Sequence, residues 1–383
     1  MKHGLMLSAA LCLSACATAP PMADISSLFA DRQFPKRVEV PTASEIFALT
    51  PATREVLQTA IDRRLRNRSS PAFALYDVVH NELDLDYDTA VTRTAEQAFE
   101  ARAGNCLSLV VLTGAMAREL ELPVTFQSVY GFETWSRTEG IAFLSGHVNL
   151  VLDTHPRRQT SSAVPFEREL VIDFVEDARK TISHARSISE ATVVAMFLNN
   201  RAAELMVDDH LDAAYWFARA AIQSDPLYLS AYNTLAVIYL RHGNLRAAER
   251  VLDVALAREP ANPQMLTNLF KVLALSEREP EAEAIRQRLA ALEQHPPFYF
   301  LDRGKLALAA GDADLALEFF RKELKRIPYD HELHFSIALA ELKQGGLPEA
   351  QEHLNLALLN SGNRNQRAIY AAKLEHLKAI EVH

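Results

Sequence analysis

Apolar positions along this chain follow two rhythms. From about Ala195 to Gly362 they keep the helical period, nested inside a longer repeat. Pro226, Pro260 and Pro328 fall on one 34-residue grid, with Gln294 at the point where a proline is missing. An alanine stands twelve residues before each grid point, at Ala214, Ala248, Ala282 and Ala316, and one further step gives Ala350. Gly243, Gly311 and Gly345 share a phase too. Such spacing predicts five pairs of antiparallel helices, each with a tight turn and with small residues where the axes come closest. The third unit carries Phe270 at a small-residue position and Glu277 in place of the turn glycine, so a distorted pair is expected there. Asn365 to Ile380 reads as a capping helix, within a terminal region 363–383.

Residues 50–190 follow the other rhythm. Thr50-Pro51 and Ser70-Pro71 are N-cap and first-turn pairs that open two helices. Thr94 to Gln97 is a capping box for a short helix expected to end in a left-handed turn at Gly104. Asn105 can cap the next helix, which makes Cys106 its first residue; through Leu120 that helix is apolar almost all round and should be central. Beyond Pro123 come β-rich runs, "VTFQSVYG", "HVNLVLD" and "ELVIDFV", the last two alternating enough to suggest an antiparallel sheet. Trp135 is placed on a loop beside the first of them. The polar loop between the last two could lie over a site at the strand ends. The reading is an α+β core followed by an all-α solenoid.

At the N-terminus, Lys2 and His3 precede an apolar run, Leu5 to Leu13, far too short to span a bilayer. The tetrapeptide Leu13-Ser14-Ala15-Cys16 behind it resembles the lipobox of bacterial lipoproteins. That resemblance implies a signal over residues 1–15, a lipid on Cys16, a linker over 16–49 and, with Ala17 rather than Asp next, the periplasmic face of the outer membrane. Cys12 would leave with the signal and Cys16 would be acylated, so Cys106 is the one thiol left. A lone thiol in an oxidising compartment makes no internal disulfide. It is there as buried filler or because it works.

Composition narrows the function. The formal charge of −9 is unfavourable for a nucleic-acid partner. No Gly-rich phosphate loop with a following Lys appears, so neither nucleotide nor other cofactor is expected. "DHELH" sets His331 and His334 one turn apart without a third ligand in sequence, so no metal is assigned.

Two resemblances complete the reading. The unit "LSAYNTLAVIYLRHGNLRAAERVLDVALAREP" resembles the tetratricopeptide repeat, with Tyr232, Leu235, Ala236, Tyr239, Gly243, Ala248, Ala255 and Pro260 on that family's positions. It implies a concave groove lined by Asn199, Asn233, Thr267, Arg241, Lys271 and Lys305, suited to an extended peptide of a protein partner. Cys106 in "GNCLSL", His147 in "GHVNLVL" and Asp173 in "VIDF" resemble the transglutaminase-like, papain-related superfamily, over roughly Pro71 to Val175. The resemblance implies Cys106 as nucleophile, His147 as base and Asp173 as orienting acid, with Asp153 the runner-up for the third role. The chemistry agrees, because a thiol facing a helix N-terminus and an imidazolium is stabilised as thiolate. Leu107 and Ser108 follow the cysteine where the cross-linking enzymes of that superfamily carry an aromatic residue. Hydrolysis or acyl transfer at an amide or peptide bond through a thioester is therefore expected, with the repeats recruiting the substrate. The alternative is a catalytically silent core serving as a membrane-attached scaffold.

Overall fold

The computed structural model describes residues 25–381 apart from 67–69, 89–90, 139–140, 155–168, 175–184, 293–294, 296–297 and 362–363. The expected signal, Cys16 and most of the polar loop lie outside the described residues. In chain order come helices α1 (Ala43–Ile46), α2 (Pro51–Leu65) and α3 (Pro71–Asp77), strand β1 (Asp86–Tyr87), α4 (Ala95–Ala101), β2 (Ala103–Gly104) and α5 (Cys106–Glu119). Strands β3 (Val124–Thr138), β4 (Ile141–Asp153), β5 (Glu169–Ile172) and β6 (Ala185–Ile188) follow. They form an antiparallel sheet of order β5-β4-β3-β6. Trp135 belongs to β3, paired with Leu144, and not to a loop. Strand β6 carries no apolar alternation in "ARSI"; backbone pairing with β3 creates it.

Helix α5 is the hub of this half. Its residues from Leu107 to Ala117 are buried, as an apolar surface on every side requires. The sheet comes so close that a Cβ on Gly114 would stand 3.1 Å from the Phe126 ring. The left-handed turn expected at Gly104 is taken by Arg102 instead, with φ +51° at the end of α4. Gly104 serves another need: a Cβ there would lie 2.7 Å from Ser108 Cβ, so glycine lets β2 pass over the start of α5.

The second half is a solenoid of paired antiparallel helices. Its pairs are α6 (Glu190–Val207) with α7 (Leu211–Ser224), α8 (Leu229–Arg241) with α9 (Leu245–Leu256), and α10 (Pro263–Leu275) with α11 (Glu279–Ala291). Then come α12 (Tyr299–Ala309) with α13 (Ala313–Leu324), α14 (His331–Gln344) with α15 (Leu347–Asn360), and the cap α16 (Arg364–Glu381), whose Leu374 and Leu377 cover α15. Asp209, Gly243, Glu277, Gly311 and Gly345 stand 34 residues apart and all have positive φ. After each, one amide closes back on a carbonyl five residues earlier: His210 on Leu205, Asn244 on Tyr239, Arg278 on Leu273, Asp312 on Ala307 and Gly346 on Glu341. This is the Schellman closure, and it satisfies carbonyls that each first helix would otherwise leave open. The turn of the third unit is therefore kept, against expectation, with Glu277 accepting φ +58°. The irregularity falls just after it. The buried apolar cluster that starts at Leu28 ends at Ile285, and a second begins at Phe298.

Residues 25–49, expected as linker, are fastened to the first repeats. Phe34 is fully buried and stacks on Tyr215 with ring centroids 4.1 Å apart. Tyr215 Oη and Arg219 Nε donate to Asp31, Trp216 Nε1 to Phe34 O, and Tyr239 Oη to Leu28 O. One large aromatic at Phe34 turned a segment without a periodic signal into part of the core.

Candidate active site

Cys106 is the first residue of α5 because Asn105 stops the chain from starting earlier. The Asn105 side chain accepts from the Ser108 amide at 2.9 Å, the N-cap that the sequence indicated. Cys106, half-buried, stands at the helix end whose first amides have no intrahelical partner. His147 arrives on β4 and Asp173 directly after β5. The register is decisive. Leu150 pairs with Ile172, so Asp173 stands opposite Asn149, two residues from His147 and on the same face. His147 Nε2 lies 2.8 Å from Asp173 Oδ2 and 3.0 Å from Oδ1, and the ring also hydrogen-bonds the Cys106 thiol. Cys106, His147 and Asp173 are thus brought together. Asp153 lies six residues beyond His147 on the same strand, roughly 20 Å along it at ~3.3 Å per residue.

Two further residues join them. Tyr87 Oη is 3.1 Å from Cys106 Sγ, held there by the pairing of β1 with β2. Asn149 Nδ2 donates to Asp173 Oδ2 at 3.1 Å, while its own Oδ1 is buried with no hydrogen-bond partner. Sequence reasoning missed both. The "HVN" run does contain the signal for Asn149, a polar residue in phase with His147 along an apolar strand. The two-residue strand that carries Tyr87 has no pattern to find. On one side Phe174 meets His80, ring centroids 5.3 Å apart.

The electrostatics follow from this closeness. Burial alone pushes the imidazolium of His147 down, but hydrogen bonds to Asp173 and Cys106 outweigh it and lift its pKa to about 10. For Cys106, burial pushes the thiol up, and the hydrogen bond and charge of His147, with the Tyr87 hydroxyl, bring it below its usual value. Tyr87 is held well above the ordinary phenol range, first by burial and then by the neighbouring sulfur, so it remains a donor. The lowered thiol beside the raised imidazole favours proton transfer from Cys106 to His147.

The groove residues are less available than the repeat pattern suggested. Asn233 Oδ1 accepts from Asn268 at 2.8 Å, Thr267 donates to Pro263 O at 2.7 Å, Arg241 donates to Met206 O, and Lys305 pairs with Glu332. Asn199 is buried with Oδ1 unpartnered, and Lys271 is exposed. His331 Nδ1 meets Tyr370 Oη at 2.9 Å, and His334 bonds Pro328 O and His353. Among the described residues no helix is long and apolar enough to cross a membrane.

No family model matches the chain, and no curated protein does. Solved structures do resemble it. TTC0263, a thermophilic TPR protein of Thermus thermophilus, is 21% identical over 47% of this chain and 98% of its own, with a TM-score of 0.28. The protein pilF of Pseudomonas aeruginosa is 20% identical over 49% of this chain and 94% of its own, with a TM-score of 0.27. YrrB, a TPR protein with an unusual peptide-binding site, is 21% identical over 47% of this chain and 92% of its own, with a TM-score of 0.25.

Proposed function

We propose that this chain is a lipid-anchored envelope enzyme with a transglutaminase-like core, acting on amide or peptide bonds through a thioester. The observation that carries the reading is the continuous contact from Cys106 through His147 to Asp173, with the sulfur at the start of α5. Cys106 thiolate attacks the amide carbonyl carbon, and amides of the first turn of α5 with the Tyr87 hydroxyl are the donors nearest the oxyanion. The C–N bond breaks and the His147 imidazolium gives its proton to the leaving amine. Water, or an acceptor amine, then attacks the thioester carbonyl while His147 takes its proton, releasing acid or new amide and restoring the thiolate. Asp173 holds the ring throughout. The repeats bind a protein or peptide partner, and through it the substrate.

The test is the pH dependence of iodoacetamide labelling. An ordinary thiol with a pKa near 8.5 is almost wholly protonated at about pH 6, whereas Cys106 in this setting labels readily there. His147→Ala removes that low-pH reactivity while circular dichroism shows the fold retained. Labelling only after unfolding, with no dependence on His147, would leave the scaffold reading in place. Anchoring is tested separately: mass spectrometry of the N-terminal peptide should find acyl chains on Cys16, and Cys16→Ala should release the protein from membranes. An unmodified Cys16 with unchanged partitioning ends that part of the proposal.

A further inference from the structure

Glu204 sits on α6, the first helix of the solenoid, at a phase where the other units carry Ile238, Val272, Leu306 and Ala340. The repeat itself has no use for a carboxylate there. Its Oε1 accepts from the Thr92 amide at 2.8 Å, and Arg201, one turn earlier, pairs with the other oxygen. Thr92 is buried, and its Oγ1 accepts from Asn105 Nδ2 at 2.9 Å. Asn105 Oδ1 accepts from both the amide and the hydroxyl of Ser108, at 2.9 and 2.8 Å. Ser108 Oγ accepts in turn from the Arg93 amide at 2.9 Å. Arg93 pairs with Asp88 at 2.8 Å, and the Asp88 amide bonds Gly104 O at 3.0 Å, beside the Tyr87 that meets the sulfur.

From this closed chain of bonds we infer that Glu204 is a positioning residue for Cys106, reaching from the first repeat to fix the N-cap of α5 and the strand that carries Tyr87. It touches neither the sulfur nor the space beside it, and acts through Thr92 and Asn105. His147 and Tyr87 bring the thiol down, and the first turn of α5 holds the sulfur against them, so a small tilt of that turn changes the nucleophile. The first repeat is then a structural part of the site as well as a partner-binding element. This inference rests on the thiolate reading above.

Two readouts keep the inference distinguishable from that reading. The first is the rate of iodoacetamide labelling against pH for the full chain, Glu204→Ala and Glu204→Gln. In Glu204→Ala the rate at about pH 6 should fall by about tenfold and its midpoint move upward, whereas Glu204→Gln, which keeps an acceptor for the Thr92 amide, should stay within about twofold. The second is hydrogen exchange, which needs no reactive thiol. The amides of Thr92, Arg93 and Ser108 should exchange at least about tenfold faster in Glu204→Ala, with protection in α8 and α9 unchanged. Should Glu204→Ala fail to fold, Thr92→Val, which keeps the size and removes the acceptor for Asn105, tests the same chain by both readouts. Unchanged labelling and unchanged exchange in folded variants overturn the positioning role. A wild-type protein inert at low pH sinks the thiolate reading, and exchange at Ser108 then decides whether Glu204 holds the helix start.

Discussion

Both halves of the molecule bury polar side chains, yet they do different things with them. In the solenoid, Glu323, Tyr232 and His334 answer local backbone needs. Glu323, fully buried, accepts from the Phe300 and Leu301 amides at the start of α12 and pairs with Arg326 at 2.9 Å. Tyr232 donates to Pro226 O, and His334 bonds Pro328 O. In the α+β half, Tyr87, His147, Asp173 and Asn149 converge through one another on a single sulfur. Burial alone therefore does not mark a site. Convergence of groups with shifted proton affinities on a nucleophile does.

The sharpest break of this contrast removes one acid from each half. Asp173→Ala should lower Cys106 labelling at about pH 6 by roughly a hundredfold, since the imidazolium loses its counter-charge. Glu323→Ala should leave that labelling unchanged and reduce unfolding free energy by about 3 kcal/mol, because Arg326 and two helix amides lose their partner. Labelling rates and urea titrations of the same two variants check both halves at once; a Glu323→Ala effect on the thiol would refute the separation.

A smaller effect appears in the pH dependence of stability. Unfolded, Cys106 and His147 titrate near 9.0 and 6.5, while folding lowers the first and raises the second to about 10. Between about 6.5 and 9.0, wherever folded Cys106 has already lost its proton, the unfolded chain carries one proton on sulfur and the folded chain one on His147, so the two shifts offset each other and the contribution is flat. The lowered thiol by itself contributes stability that is lost as pH falls through its folded value. Above about 9.0 the folded chain holds the extra proton on His147, and the contribution is lost as pH rises through about 10. The slope outside the plateau approaches about 1.4 kcal/mol per pH unit. Melting curves of the wild type against Cys106→Ala/His147→Ala from pH 4 to 10.5 measure the difference, and a slope through the plateau would contradict the ion pair.

The smallest effect belongs to the turns of the solenoid. Glu277→Gly should stabilise the third unit by about 0.5–1 kcal/mol by removing a side chain from a left-handed position, and Gly311→Ala should destabilise by a similar amount. Thermal unfolding would show opposite shifts; equal shifts would mean that the φ values do not govern these turns.

What could be read along the chain is what depends on near neighbours. The 34-residue phase carried the helix pairs and the three glycine turns, because Schellman closure and small-residue packing act within one unit. Asn105 before Cys106 was legible for the same reason, since an N-cap bonds an amide three residues on. The choice between Asp153 and Asp173 was not, because it rests on the register of β4 against β5, which a single sequence does not display. Nor could Tyr87 be found, delivered by a two-residue strand, or the tie from Glu204 to Thr92 across 112 residues. By itself the sequence determined the long helices and where a thiol meets a helix start, though not α1 within the expected linker. Only the tertiary structure decided which side chains reach that thiol, because their contacts are made by strand register and by the first repeat lying against the core, neither of which leaves a local pattern.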